Sequence, residues 1–187
     1  MSWRGISSYN AGSRREKSLE NKRSEELFSL LKALHRGDLS DREIYYAIQS
    51  FGETNFQEVR PEVEPFLTHE NPELRCVALK VLTQYWRLSE HWETARSVML
   101  HDPDVECRFR AASDLGALQM NTQDELTLKT LAQVVYNEQE ELTVRESAYA
   151  AMRAVLRYDP REQLHMATRS FDFDREVDWK WVRHYCL

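Results

Sequence analysis

The sequence predicts an all-α fold in which helical hairpins stack into a single array. Apolar residues recur at helical spacing along most of the chain. Only 5 glycines and 5 prolines occur in 187 residues, whereas an all-β fold needs many turn residues. A short motif also returns at intervals of a few tens of residues, and such a period is typical of stacked helical repeats.

Short turn signals divide the apolar pattern into ten helices. Breaks fall at Gly37 and Asn121, and at Asn71-Pro72, Asp102-Pro103 and Asp159-Pro160, where Asn or Asp is expected to cap the following helix. The predicted pairs, in chain order, are Ser24–Arg36 with Asp41–Gly52, Phe56–His69 with Pro72–Leu88, Glu90–His101 with Asp104–Met120, Thr122–Asn137 with Leu142–Tyr158, and Pro160–Ser170 with Asp174–Tyr185.

The second helices of the three central pairs open with the same pattern: an apolar residue, an arginine, two variable residues and an alanine. The arginines are Arg75, Arg108 and Arg145, which lie 33 and 37 positions apart. One hairpin cannot bury its apolar stripe from both sides, so neighbouring pairs are expected to stack and share a core. Because the helix dipole disfavours a cation in the first turn, we expect each arginine to bind acidic or polar groups in the turn of a neighbouring repeat.

This motif resembles the HEAT-repeat superfamily, in which an Asp-Pro turn precedes a second helix that opens with Val-Arg-x-x-Ala. Asn71-Pro72 with Arg75, and Asp102-Pro103 with Arg108 and Ala111, are similar to that pattern. The resemblance covers roughly residues 24–187. It implies a right-handed α-solenoid of about five HEAT-like helical hairpins.

The two ends of the chain are predicted to differ from the repeats. Residues 1–23 are expected to form a flexible basic leader, since residues 1–24 carry +4 from six Lys/Arg and two Glu. The whole chain carries −6, so the rest of the chain carries −10. The last hairpin of the domain 24–187 is expected to cap the array. The side chains expected to fold over the fourth pair are Phe171, Phe173, Trp179, Val182 and Tyr185.

Composition and spacing argue against several classes of function. A strongly anionic domain makes nucleic acid an unlikely partner, because phosphate binding needs a clustered cationic face. Cys76, Cys107 and Cys186 are widely spaced, which suits neither a disulfide framework nor a zinc site and favours a cytoplasmic protein. No run approaches the roughly 18 apolar residues of a membrane span. No metal, cofactor or catalytic residue is predicted.

The binding surface is predicted on the second helices, at positions outside the apolar stripe. The second helices line the inner curve of HEAT-like arrays, so positions outside the apolar stripe recur side by side from one repeat to the next. Phe109 and Tyr149 are aromatic where packing does not require it, and aromatic side chains often dominate interface energetics. The predicted partner-binding residues are Lys80, Thr83, Arg87, Phe109, Ser113, Asp114, Glu146, Tyr149 and Arg153. Their mixed charges predict a non-catalytic adaptor, regulator or inhibitor that binds a polypeptide.

An enzyme or ligand carrier that uses the same groove is the alternative hypothesis. A bilin lyase-like protein would hold a tetrapyrrole between aromatic side chains and an arginine. An alkylpurine glycosylase-like protein would bind DNA through an aromatic cleft and one carboxylate, although the acidic charge opposes this. The residues that would serve in that cleft are Trp86, Trp92, Trp179, Trp181 and Asp114.

Overall fold

The computed structural model describes residues 7–168 and 171–186, with side chains from residue 22 onward, and every regular element in these ranges is helical. The α-helices are α1 Ser7–Arg36, α2 Asp41–Glu53, α3 Arg60–Val63, α4 Pro72–Lys80, α5 Trp92–His101, α6 Val105–Leu118, α7 Glu125–Tyr136, α8 Leu142–Arg157, α9 Pro160–Met166, α10 Phe173–Glu176 and α11 Trp179–Cys186. Short 3₁₀ turns cover Gln57–Val59, Glu64–Thr68 and Ser89–His91, and a π-helical turn covers Val81–Tyr85. The predicted all-α class is confirmed.

The predicted boundaries hold for the regular helices and fail where the chain departs from α geometry. α2 begins at Asp41 and α8 at Leu142, as predicted. The predicted helix Phe56–His69 is divided into 3₁₀, α and 3₁₀ turns, and Pro61 and Pro65, which lack a backbone N–H, lie within it.

Both ends of the chain also differ from the predicted boundaries. α1 begins at Ser7 rather than at the predicted Ser24, so residues 7–23 of the expected leader continue the first helix. Residues 1–6 of that leader lie outside the described residues. Near the C-terminus, extended backbone at Val177 divides the last predicted helix into α10 and α11.

The second helices α2, α4, α6 and α8 lie side by side and run in the same direction. Near the starts of α2 and α4, Asn71 Nδ2 donates to Asp41 Oδ2 at 2.7 Å, and Cys107 Sγ in α6 lies 3.2 Å from Pro72 O in α4. Towards the far ends, Gln84 donates to Asp114. α5 packs on α6, and α7 packs on α8. The pairs are therefore arranged in chain order, as stacked hairpins require.

Two glycines allow neighbouring second helices to approach closely. A Cβ atom added to Gly52 in α2 would lie 2.7 Å from Val81 Cγ2. A Cβ atom added to Gly116 in α6 would lie 2.7 Å from the Ala151 Cβ of α8. Since no ordinary side chain tolerates such distances, glycine fixes the separation of both helix pairs.

The core consists of two apolar clusters that meet at α4. Leu74, Ala78 and Leu82 belong to the cluster formed with α2, whereas Leu79 belongs to the cluster formed with α5 to α8 and α11. The second cluster includes buried Val182, and the five side chains expected to fold over the fourth pair all pack in it or against it. α4 is thus the element shared by both halves of the core.

The repeated arginines link each turn to the next. Arg75 forms two hydrogen bonds to the Asp102 carboxylate, at 2.9 and 2.7 Å, and also donates to the His69 carbonyl oxygen. Arg108 binds Glu140 at 2.9 Å and donates to the Asp102 carbonyl oxygen. The predicted inter-repeat role is confirmed for these two arginines.

The third repeated arginine has a different partner. Arg145 donates to the Val135 carbonyl oxygen at 3.0 Å, and its guanidinium lies 5.0 Å from the centroid of the Phe173 ring. An aromatic ring from the C-terminal segment thus occupies the place that a carboxylate takes in the two preceding repeats.

Candidate binding groove

A groove runs along α4, between α2 on one side and α6 on the other, and encloses about 700 Å³. A volume of this order matches the clefts in which proteins hold ligands. The lining residues are Arg42, Tyr45, Tyr46, Pro72, Glu73, Cys76, Val77, Lys80, Asp104, Glu106 and Arg110. Three successive second helices therefore contribute to one surface, which is called the α4 groove below.

The α2 wall of the α4 groove is aromatic and cationic. The Tyr46 side chain is exposed, with 54% of the residue accessible to solvent, and contacts Tyr45 edge to face at a centroid distance of 5.6 Å. The Arg42 guanidinium lies 5.8 Å from the centroid of the Tyr46 ring. An exposed tyrosine beside an arginine combines two residue types that are common in interface hot spots.

Two further cations lie on the floor and on the opposite wall. Lys80 Nζ lies 5.4 Å from the centroid of the Tyr85 ring. Arg110 donates from Nε to the Glu106 carboxylate at 2.8 Å, in an exposed i, i+4 pair. Such exposed pairs contribute only about 0–1 kcal/mol, so Arg110 can exchange this partner at little cost.

Asp114 lies one helical turn beyond Arg110 and is buried, with 1% of the residue accessible. Its Oδ1 accepts a hydrogen bond from Gln84, and its Oδ2 has no hydrogen-bond partner among the described residues. Burial raises the pKa of this carboxyl to about 7, although the Gln84 hydrogen bond and the positive charges of Lys80 and Arg110 act in the opposite direction. Asp114 therefore changes its charge near neutral pH.

The Cys76 thiol, which lines the α4 groove, is protonated. Cys76 and Cys107 are both buried and are not joined in a disulfide. The hydrogen bond to Cys107, together with burial, raises the pKa of the Cys76 thiol far above its ordinary value. Since the thiolate is the nucleophilic form, Cys76 is not activated for covalent chemistry.

Comparison with known protein families, curated proteins and solved structures finds no match to this chain. The HEAT-like character of the repeats therefore stays a prediction from the sequence pattern.

The structure places the nine predicted partner-binding residues in three different environments. Arg87, Phe109 and Ser113 are exposed, whereas Lys80, Glu146 and Arg153 are half-buried and Thr83, Asp114 and Tyr149 are buried. Lys80 is the one member of this set that lines the α4 groove. The nine residues do not form a single described surface.

The prediction of an exposed position is wrong for Thr83, Asp114 and Tyr149. Thr83 follows buried Leu79 by four residues and shares its buried face, and its hydroxyl donates to the Leu79 carbonyl oxygen at 2.7 Å. Asp114 is covered through its contact with Gln84.

Tyr149 is buried by the C-terminal segment. Its ring lies 6.2 Å from the Phe171 ring and 6.1 Å from the Trp181 ring, centroid to centroid, and its hydroxyl accepts a hydrogen bond from Asp178 N. Replacing Phe109 and Tyr149 by alanine would therefore remove core contacts and not only surface contacts.

The aromatic cleft of the glycosylase-like hypothesis is not assembled at the α4 groove. Trp86 is buried in the first core cluster, and Trp92 donates to the Thr127 hydroxyl at 2.8 Å. Trp179 and Trp181 pack against the second cluster. Neither these four side chains nor Asp114 line the α4 groove.

Sequence reasoning missed most of the α4 groove, although its residues follow helical spacing. Arg42 and Tyr46 are four residues apart, as are Glu106 and Arg110, while Glu73 and Lys80 are seven apart. These spacings place residues on one helix face.

The described residues include no group of three or more His, Cys, Asp or Glu side chains placed to hold a metal ion. None of the helices in the described ranges is long and apolar enough to cross a membrane.

Proposed function

We propose that this protein is a short HEAT-like solenoid that binds a polypeptide in the α4 groove and catalyses no reaction itself. The binding surface thereby moves from the second helices of the second, third and fourth pairs, where the sequence pattern placed it, to the second helices of the first, second and third pairs. The α4 groove supports this because it extends across successive helices, as the binding surfaces of repeat proteins do.

One observation carries the proposal: Tyr46 is an exposed aromatic residue in a groove with cations on both sides. Tyr46 has 54% of its surface accessible, and Arg42 and Lys80 have no carboxylate partner within 4 Å among the described residues. An exposed aromatic ring and cations that lack a carboxylate partner are available to a second chain. Glu73 and Asp104 line the same groove, and this mixture of charges suits a polypeptide better than a uniformly anionic ligand.

The test is a selection of random displayed peptides on the full-length protein. We expect binding peptides to be recovered, and the affinity of the best peptides to fall at least tenfold in the Tyr46→Ala variant. Tyr136→Ala is the matched control, because Tyr136 is similarly exposed, with 53% accessible, and lies on α7 outside the α4 groove. Recovery of no peptide, or equal losses in both variants, would contradict the proposal.

A further inference from the structure

One end of the α4 groove brings together two cations with unused hydrogen-bonding capacity. Lys80 has no carboxylate within 4 Å among the described residues, and its ammonium group faces the Tyr85 ring. Arg110 uses Nε to bind Glu106, which leaves the donors of its two terminal nitrogens for a second acceptor. Both side chains line the α4 groove.

The buried carboxyl of Asp114 lies next to these cations. Gln84 follows Lys80 by four residues, Asp114 follows Arg110 by four residues, and Gln84 donates to Asp114. The Gln84–Asp114 contact therefore lies about one helical turn beyond the two cations. Lys80 on α4 and Arg110 on α6 are the charged groups whose fields act on this carboxyl.

We propose that this end of the α4 groove binds an Asp or Glu side chain of the polypeptide partner, and that Lys80 and Arg110 contact its carboxylate. Asp114 is a positioning residue, which controls how strongly these two cations attract the partner carboxylate. This inference rests on the function proposed above and specifies the chemistry of the partner at one position.

The distribution of charge in the α4 groove favours a carboxylate at this end. Glu73 lies at the start of α4, seven residues before Lys80, and the helical rise places it about 10 Å away along the helix axis. Asp104 lies just before the start of the parallel helix α6. A partner carboxylate beside Lys80 is thus separated from Glu73 and Asp104, and Lys80 has no carboxylate partner among the described residues that would offset its charge.

Asp114 makes this attraction depend on pH. Above a pH of about 7 the carboxylate is ionised and offsets part of the positive charge of Lys80 and Arg110. Below that value it is neutral and no longer offsets the positive charge of Lys80 and Arg110. The affinity for an acidic peptide is therefore expected to rise as the pH falls through about 7.

The experiment uses peptides from the random display selection on the full-length protein. We expect the recovered peptides to be enriched in Asp or Glu, and the affinity of an acidic peptide to fall at least tenfold in Lys80→Gln. Lys129→Gln is the matched control, because Lys129 pairs with Glu125 on α7 and lies outside the α4 groove. Lys80→Glu should regain binding when the acidic residue of the peptide is replaced by lysine.

The role of Asp114 is read from the pH profile of binding. For the parent protein, the affinity for an acidic peptide is expected to be several-fold higher at about pH 6 than at about pH 8. The Asp114→Asn variant should bind the acidic peptide tightly at both pH values, and a thermal unfolding curve establishes that this variant is folded.

Each other outcome overturns a defined part of the inference. Peptides without acidic enrichment, or an acidic peptide that binds Lys80→Gln as tightly as the parent, would overturn the carboxylate site and leave peptide binding intact. A pH profile that persists in Asp114→Asn would overturn the positioning role. Recovery of no peptide would contradict the proposed function itself.

Discussion

The ionisation of Asp114 has consequences for folding that are separate from any partner. The ordinary pKa of an aspartate is 3.8, and burial raises that of Asp114 to about 7. The folded protein therefore binds a proton at this site between about pH 4 and pH 7, where the unfolded chain does not. Stability is expected to decline as the pH rises across this window, because the folded state must then hold a buried charge.

The variant Asp114→Asn tests this linkage. At about pH 8 we expect it to be more stable than the parent by up to about 4 kcal/mol, since asparagine keeps the acceptor for Gln84 and never ionises. Below about pH 4 the two proteins should be equally stable. Urea unfolding at several pH values measures this difference, and Asp174→Asn, at an exposed carboxyl, is the control that should follow the parent curve.

Single residues also show why part of the site could not be predicted from the sequence. Thr83 was grouped with Lys80, but it follows buried Leu79 by four residues and shares its buried face, where its hydroxyl donates to the Leu79 carbonyl oxygen. Tyr149 was expected on the surface because packing of the repeats did not require an aromatic side chain at this position. It is covered by Phe171 and Trp181, which come from a distant part of the chain. Local patterns carry no information on such long-range contacts.

At the scale of elements, the most predictable feature was the set of contacts that the repeated arginines make with neighbouring interhelical turns. Arg75 and Arg108 recur at a repeat spacing, and each lies in a first helical turn, where a cation is unfavourable. This pattern indicated polar partners in neighbouring turns. The structure gives these partners as Asp102 and Glu140. The regular helices were predicted for the same reason, because periodicity is a local property. The division of Phe56–His69, where Pro61 and Pro65 lie, and the π-helical turn after α4 were not predicted, because apolar periodicity does not separate α from 3₁₀ or π geometry over a few residues.

Arg108 and Arg110 offer a matched comparison on the same helix. The Arg108–Glu140 pair is largely shielded, with 16% and 13% of the side chains accessible, whereas the Arg110–Glu106 pair is exposed at 46% and 58%. Arg108→Ala is expected to cost about 2 kcal/mol, because it leaves a shielded carboxylate without its partner. Arg110→Ala should cost less than about 0.5 kcal/mol.

Chemical denaturation of the two variants measures this difference at neutral pH. Burial alone raises the pKa of the Glu140 carboxyl, but hydrogen bonds from Arg108 and from backbone N–H groups lower it overall. The contribution of this pair should therefore be present above the ordinary glutamate pKa of 4.5 and be lost as the pH falls through the lower value in the folded state. Equal losses in both variants would show that burial of the pair contributes nothing.

At the scale of the whole molecule, the C-terminal segment completes the second core cluster. Val182 on α11 is fully buried, and α11 packs chiefly on α7. A short final helix with few internal hydrogen bonds is not stable by itself, so its position depends on this apolar contact. The last helix and the preceding hairpins are expected to unfold together.

Val182→Asp tests whether α11 is an integral part of the folded protein. A carboxylate at this fully buried position should cost about 3 kcal/mol or more and expose apolar surface, which an apolar dye detects. Lys180→Asp introduces the same residue at an exposed position of α11 and should retain the stability of the parent. If Val182→Asp unfolds at the same temperature as the parent, α11 does not contribute to the core.

The π-helical turn at Val81–Tyr85 holds one residue more than an α-helical turn would. In this turn the Trp86 N–H donates to the Val81 carbonyl oxygen, five residues earlier, instead of four as in an α-helix. Loss of one residue within the turn would let an unbroken α-helix form, in which the residue that donates to Val81 again follows it by four. The residues beyond the turn would then keep their orientation relative to those before it. The chain is therefore expected to tolerate a single-residue deletion here better than in the middle of α6, where the following residues would rotate by about 100° because 3.6 residues complete a turn.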